Sequence, residues 1–138
     1  MAERQRILLV EDNADNVLIY TTVLEFAGFE VLSATDGPGG LAMARAERPD
    51  LILMDVAIPG IDGWEVTRTL KADPSTSPIP VVMLTAHALA ADRVHAFAEG
   101  ADGYISKPAD PMAVVNAIRS KLADPTYPIG VPDPWADL

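Results

Sequence analysis

The chain contains no cysteine in its 138 residues, which excludes a disulfide framework, thiol chemistry and any cysteine-based metal site. It also lacks a long apolar run, and none approaches the roughly 20 residues that span a bilayer. The first apolar stretch, Ile7-Leu-Leu-Val10, is too short for a signal peptide and stops at Glu11-Asp12. A cytoplasmic location without membrane contact is the expectation. Positive charge is scarce: 10 Lys and Arg stand against 20 Asp and Glu, for a net charge of −10. No basic run occurs, so the surface repels nucleic acid, whose binding needs clustered cations to neutralise phosphates. The two histidines, His87 and His95, have no partner at metal-ligand spacing, which argues against zinc. What is abundant is carboxylate, and carboxylates gathered in one place attract a hard divalent cation.

The length suits one domain with a proper core. Apolar runs of strand length, Ile7–Val10, Phe29–Ser33, Leu51–Met54, Val81–Leu84 and Gly103–Ser106, alternate with helical patterns at 14–27, 38–47, 62–72, 88–99 and 110–122. Such alternation predicts βαβ units, right-handed crossovers and a parallel sheet with helices on both faces. In the first helix Asn13 reads as the cap, Val17, Tyr20 and Leu24 as the buried stripe, and Gly28 as the left-handed closing residue. Asp36 caps the second helix with Pro38 in its first turn. Gly39 and Gly40 weaken that turn by up to ~1 kcal/mol each relative to Ala, which predicts a mobile start. Residues 73–78 form a loop, and Pro80 opens the fourth strand. In the last helix Val115, Ile118 and Leu122 are the buried stripe, with Arg119 and Lys121 near the favourable C-terminal end. The domain is expected to span 1–123. Residues 124–138, with four prolines and three aspartates, read as a tail without helix or strand pattern, whose Tyr127, Ile129 or Trp135 are the candidates for docking.

The stretch from Asp50 to Gly63 organises the rest. Its continuous run Leu51–Met54 reads as a strand buried on both faces, ending in Asp55 at the mouth of the sheet, where ligands collect in open α/β folds. All parallel strands end on one edge. Glu11 and Asp12 therefore converge there with Asp55, Thr85 and Lys107-Pro108, although they are far apart in sequence. Singly each residue is a weak signal, and jointly they fit phosphoryl transfer to a carboxylate. Asp55 would attack phosphorus and form an acyl phosphate. Mg²⁺, with Mn²⁺ as the alternative, would neutralise the approaching anions, with Asp12 and Asp55 as direct ligands, Glu11 acting directly or through water, and the Ala57 carbonyl placed to supply another oxygen. Lys107 would pair with one phosphoryl oxygen and Thr85 would hydrogen-bond another.

These motifs resemble the receiver domain of two-component response regulators over about residues 5–122. Ile-Leu-Leu-Val-Glu11-Asp12-Asn13 resembles the family's acidic pair, and Asp55-x3-Pro59-Gly60-x-Asp62-Gly63 its phosphoacceptor loop. Thr85-Ala86 and Tyr104-Ile-Ser-Lys107-Pro108 resemble its two switch motifs. The segments Val-Glu11-Asp12-Asn13 and Thr85-Ala86-His87-Ala88-Leu89 are similar to the single-domain, DivK-like group. The resemblance implies a flavodoxin-like (βα)5 sandwich of strand order 2-1-3-4-5 and a cis bond before Pro108. It also implies that phosphate on Asp55 draws Thr85 inward and lets Tyr104 rotate into the vacated space. The face of the fourth helix, fifth strand and fifth helix would then change for its partners. Those would be a histidine kinase or histidine phosphotransfer protein, a downstream protein effector, and a second copy in a phosphorylation-dependent homodimer. Ala57 and the side chain of His87 flank the path of the hydrolytic water in that family, and Ala57 cannot orient it, which predicts slow self-dephosphorylation.

Other classes fit less well. An aspartyl-nucleophile phosphatase of the haloacid-dehalogenase type wants a second Asp two residues after the nucleophile, where this chain has Ala57. A flavin-binding relative would place phosphate where Glu11 and Asp12 repel it. A pseudo-receiver that binds partners without phosphorylation is the remaining alternative, although every acceptor-site residue is present.

Overall fold

Residues 4–86 and 89–131 are described by a computed structural model of the chain. Five strands alternate with five helices: β1 (Arg6–Val10), α1 (Ala14–Phe26), β2 (Glu30–Ala34), α2 (Gly37–Glu47), β3 (Leu51–Met54), α3 (Gly63–Ala72), β4 (Val81–Thr85), α4 (Ala90–Ala98), β5 (Gly103–Ser106) and α5 (Pro111–Ala123). All neighbouring strands pair in parallel, in the order β2-β1-β3-β4-β5. The predicted elements are all present, with ends shifted by one or two residues. His87, Ala88 and Trp135, each named in the sequence reading, lie outside the described residues.

Short-range chemistry accounts for most helix starts. Asn13, Asp36, Asp62 and Asp110 each accept a backbone N–H of the first turn on a side-chain oxygen, an arrangement usually worth ~1 kcal/mol. Gly28, at φ +101, closes α1 in the left-handed region. The central strand β3 is buried along its whole length, as its unbroken apolar run requires. Two cores flank the sheet. One gathers Leu41 and Ala44 of α2, Val66 and Leu70 of α3 and Ala96 of α4 over Leu8, Ile52 and Met83. The other gathers Tyr20 and Leu24 of α1 with Val115 and Ile118 of α5 over Leu9, Leu53 and Leu84.

Three details depart from the sequence reading. Gly40 marks a close helix–sheet approach: a Cβ there would meet the Val10 methyls at 3.1 Å. The helix start that two glycines were expected to loosen is also tied down, since the Gly37 N–H donates to the Pro59 carbonyl at 3.0 Å. Lys121 does more than face the end of α5. It is buried and its ammonium donates to the Tyr127 carbonyl at 2.9 Å. Among the described residues, the segment after α5 (124–131) has no helix or strand, as expected. Even so, it returns to the domain and buries Ile129 to 7% exposure within the α1–α5 core.

Candidate functional site

The C-terminal ends of β1, β3, β4 and β5 bring the site together. Backbone hydrogen bonds fix its base: Glu11 donates to the Ala34 carbonyl at 3.0 Å, and Asp55 donates to the Val10 carbonyl at 3.1 Å. Glu11 and Asp55 are thus held by the strand ends that precede them and by a neighbouring strand. Glu11 is only 3% exposed. Its carboxylate accepts the Asp12 N–H at 3.1 Å, the Asn16 side-chain amide at 2.9 Å and the Lys107 ammonium. Asp55 accepts the Ala57 N–H at 3.2 Å on one oxygen and faces the Lys107 ammonium at 3.3 Å with the other.

Asp12 completes the group. Glu11, Asp12 and Asp55 each offer an oxygen, and the three atoms lie within 4.8 Å of one another. Three carboxylates against one ammonium leave the site strongly negative. Burial raises the pKa of Glu11, with the Asp55 charge adding to it against the pull of Lys107. Burial alone would lower Lys107, but its hydrogen bond to Glu11 and the charge of Asp55 outweigh this and raise its pKa. An all-oxygen, anionic donor set without a soft ligand fits Mg²⁺ or Mn²⁺. The residues present fit the group.

The loop after Asp55 is held by its neighbours. Asp62 caps α3 by accepting the Glu65 N–H at 2.9 Å, and Gly63 donates to the Val56 carbonyl at 2.9 Å. A Cβ at Gly63 would collide with the Asp55 carbonyl, so this approach needs glycine. Ala57 lies two residues beyond Asp55 and is exposed. Thr85, at the end of β4, is fully buried and its carbonyl accepts the Lys107 N–H at 2.7 Å, which ties two of the site residues together. The Lys107–Pro108 bond is cis, as the resemblance implied. A cleft of about 400 Å³ opens beside Lys107, lined by Asn16, Ile19, Tyr20, Ala86 and Pro108.

Tyr104 is 2% exposed and belongs to the α2–α4 core, with the Arg93 guanidinium 5.5 Å from its ring centre. Trp64, next to Gly63, stacks on His95 of α4 at 4.1 Å between centroids. The acceptor loop is thereby connected to α4.

Sequence reasoning missed one member of this group. Asn16 steadies Glu11 from the first turn of α1. The available signal was its place one helical turn after the cap Asn13, on the side that faces the end of β1.

Comparison with known proteins agrees with this geometry. Residues 7–119 match the family described as the response regulator receiver domain. Protein PilH of Pseudomonas aeruginosa is 40% identical over 118 residues, which cover 86% of this chain and 98% of PilH. Response regulator PleD of Caulobacter vibrioides is 44% identical over 115 residues, 83% of this chain but 25% of PleD. Among solved structures, a CheY-like receiver domain protein from Methanospirillum hungatei superposes with a TM-score of 0.83 at 30% identity, covering 88% of this chain and 96% of that one.

Proposed function

The chain belongs to the response regulator receiver family, and on that premise we propose that it signals by accepting a phosphoryl group on Asp55. The observation that carries this reading is the convergence of Glu11, Asp12, Asp55 and Lys107 at one sheet edge, with Lys107 bridging Glu11 and Asp55. One Asp55 carboxylate oxygen attacks phosphorus, the bond from phosphorus to a donor phosphohistidine nitrogen breaks, and the nitrogen leaves with its electron pair. Lys107 pairs with a phosphoryl oxygen and Thr85 moves to donate its hydroxyl to another. Glu11, Asp12, Asp55 and the Ala57 carbonyl would hold Mg²⁺, which would supply neutralisation of the approaching negative charges. Such transfer needs positioning and charge stabilisation more than covalent machinery, so the donor can be a histidine kinase or a histidine phosphotransfer protein.

The output of this reading is a changed face rather than a chemical product. Leu89 and Val94 on and beside α4 and Met112 on α5 expose apolar side chains around β5, which suits a protein effector or a second copy. The net charge of −10 disfavours nucleic acid. Among the described residues no helix is long and apolar enough to cross a membrane.

Intact-mass spectrometry after incubation with acetyl phosphate tests the reading. One phosphate gained with Mg²⁺ and none without it is the expected result. Equal mass in both samples, repeated with a phosphorylated kinase as donor, supports the phosphorylation-independent alternative. Because Ala57 has no side chain to orient the hydrolytic water, the purified phosphoprotein should lose its phosphate over minutes or longer. Decay within seconds, followed by the same mass measurement, contradicts that role for position 57.

A further inference from the structure

We propose that residues 124–131 are an intramolecular occupant of the β5 edge, released when Asp55 is phosphorylated, so that this edge is offered to partners in the phosphorylated protein. The proposal rests on the acceptor role of Asp55. β5 is the last strand of the sheet, and an edge strand presents unpaired backbone groups that can template another chain. Here the Tyr104 N–H is taken by the Ile129 carbonyl at 2.9 Å. Ile129 enters the same core as Val82 and lies beside Gly103: a Cβ at Gly103 would lie 3.0 Å from the Ile129 Cβ and 3.2 Å from a Val82 methyl. Gly130, at φ +63, lets the backbone pass so close to the Tyr104 carbonyl that any Cβ would collide with it. The segment thus docks through one backbone hydrogen bond to β5 and one side chain in a recess.

Among the described residues its ties are few, which places it at the easily opened end of the structure. Besides Ile129 and the Tyr104 bond, Lys121 donates to the Tyr127 carbonyl, and Asp124 closes a turn by accepting from Thr126. Tyr127 and Val131 remain exposed beside it. Its docking strand runs directly into the site. Three residues after Tyr104 comes Lys107, which touches both Glu11 and Asp55 and whose N–H is held by Thr85. A phosphoryl group on Asp55 draws Lys107 and Thr85 to new partners and thereby disturbs β5. The Tyr104 N–H on the outer edge of β5 is the group that joins this strand to the segment. Coupling of this kind is reciprocal, and release of the segment must in turn favour the phosphorylated arrangement.

The Tyr104 amide is a specific probe, because its acceptor belongs to the segment itself. Hydrogen exchange would be followed in the full chain after acetyl phosphate and Mg²⁺, with intact mass measured in parallel and Asp55→Asn as control. The expected result is loss of protection at the Tyr104 amide in phosphorylated wild type, with none in Asp55→Asn. Phosphate gained with unchanged protection overturns the proposal and leaves the acceptor role standing. No phosphate gained removes both. For the reverse direction, Ile129→Ala and Gly130→Ala should bind beryllofluoride with Mg²⁺ at least about fivefold more tightly than wild type, the low end of ordinary allosteric coupling. Equal affinity in both variants overturns it.

Discussion

Replacing Asp55 by Asn should abolish phosphorylation by acetyl phosphate completely while leaving the fold intact. The amide keeps the shape of the carboxylate but is no nucleophile, and no neighbour can replace it. Glu11 is buried and occupied by Asn16, Lys107 and two backbone N–H groups, and Asp12 is exposed at the rim. The fold survives because the Glu11–Lys107 pair does not depend on Asp55. Intact-mass spectrometry with a thermal melt of the same sample checks both halves. Phosphate retained in the variant, at wild-type stability, would mean that another residue is the acceptor.

The second large effect is expected at Lys107. Its ammonium lies between the buried Glu11 and Asp55, and removing one partner of a buried pair leaves the other charge without compensation. Lys107→Met keeps the aliphatic stem and deletes the charge. Full burial would make that loss ~3–5 kcal/mol. Because Lys107 keeps 14% side-chain exposure, about 2–3 kcal/mol in Mg²⁺-free buffer is the expectation. A divalent cation neutralises the same carboxylates, so Mg²⁺ should restore much of this loss in a denaturant titration. Phosphorylation should remain slow with Mg²⁺ present, because the phosphoryl oxygen has lost its cation. The pH dependence has a defined sign. The pKa of Lys107 is raised above its ordinary 10.5, so its contribution to wild-type stability is complete below that value and disappears as pH rises through the folded-state pKa. Lys107→Met should remove this alkaline fall.

How much of this could be read in the sequence follows from the range of each interaction. Asn13, Asp36 and Asp62 cap helices by reaching three residues along the chain, and such contacts are legible locally. β3 was legible because burial on both faces writes itself as an unbroken apolar run. The convergence of Glu11, Asp12, Asp55, Thr85 and Lys107 followed from a parallel sheet, since every strand ends on one edge. The strand order and the cis bond came from family resemblance, and both are present.

What escaped depends on contacts distant in sequence. Gly40 reads as a weak helix residue until Val10 is seen against it. Lys107 was assigned to an incoming phosphoryl group, and its resting partners Glu11 and Asp55 needed three dimensions. The proline-rich composition of 124–131 gives no periodicity, so Ile129 was legible only as one of three docking candidates, and the recess it fills beside Gly103 needed three dimensions. Tyr104 was legible as a switch candidate by resemblance, but the position of its ring, buried in the α2–α4 core beside Arg93, is set by packing.

Chemical trapping of the acyl phosphate tests the central claim most directly. Borohydride reduces an aspartyl phosphate to the alcohol, so that the acceptor aspartate becomes homoserine, and peptide mass spectrometry locates the change. After acetyl phosphate and Mg²⁺, homoserine at position 55 alone, and none in protein treated without Mg²⁺, is the predicted result. Homoserine at position 12, or a phosphate that resists reduction, contradicts the assignment of Asp55 as the acceptor.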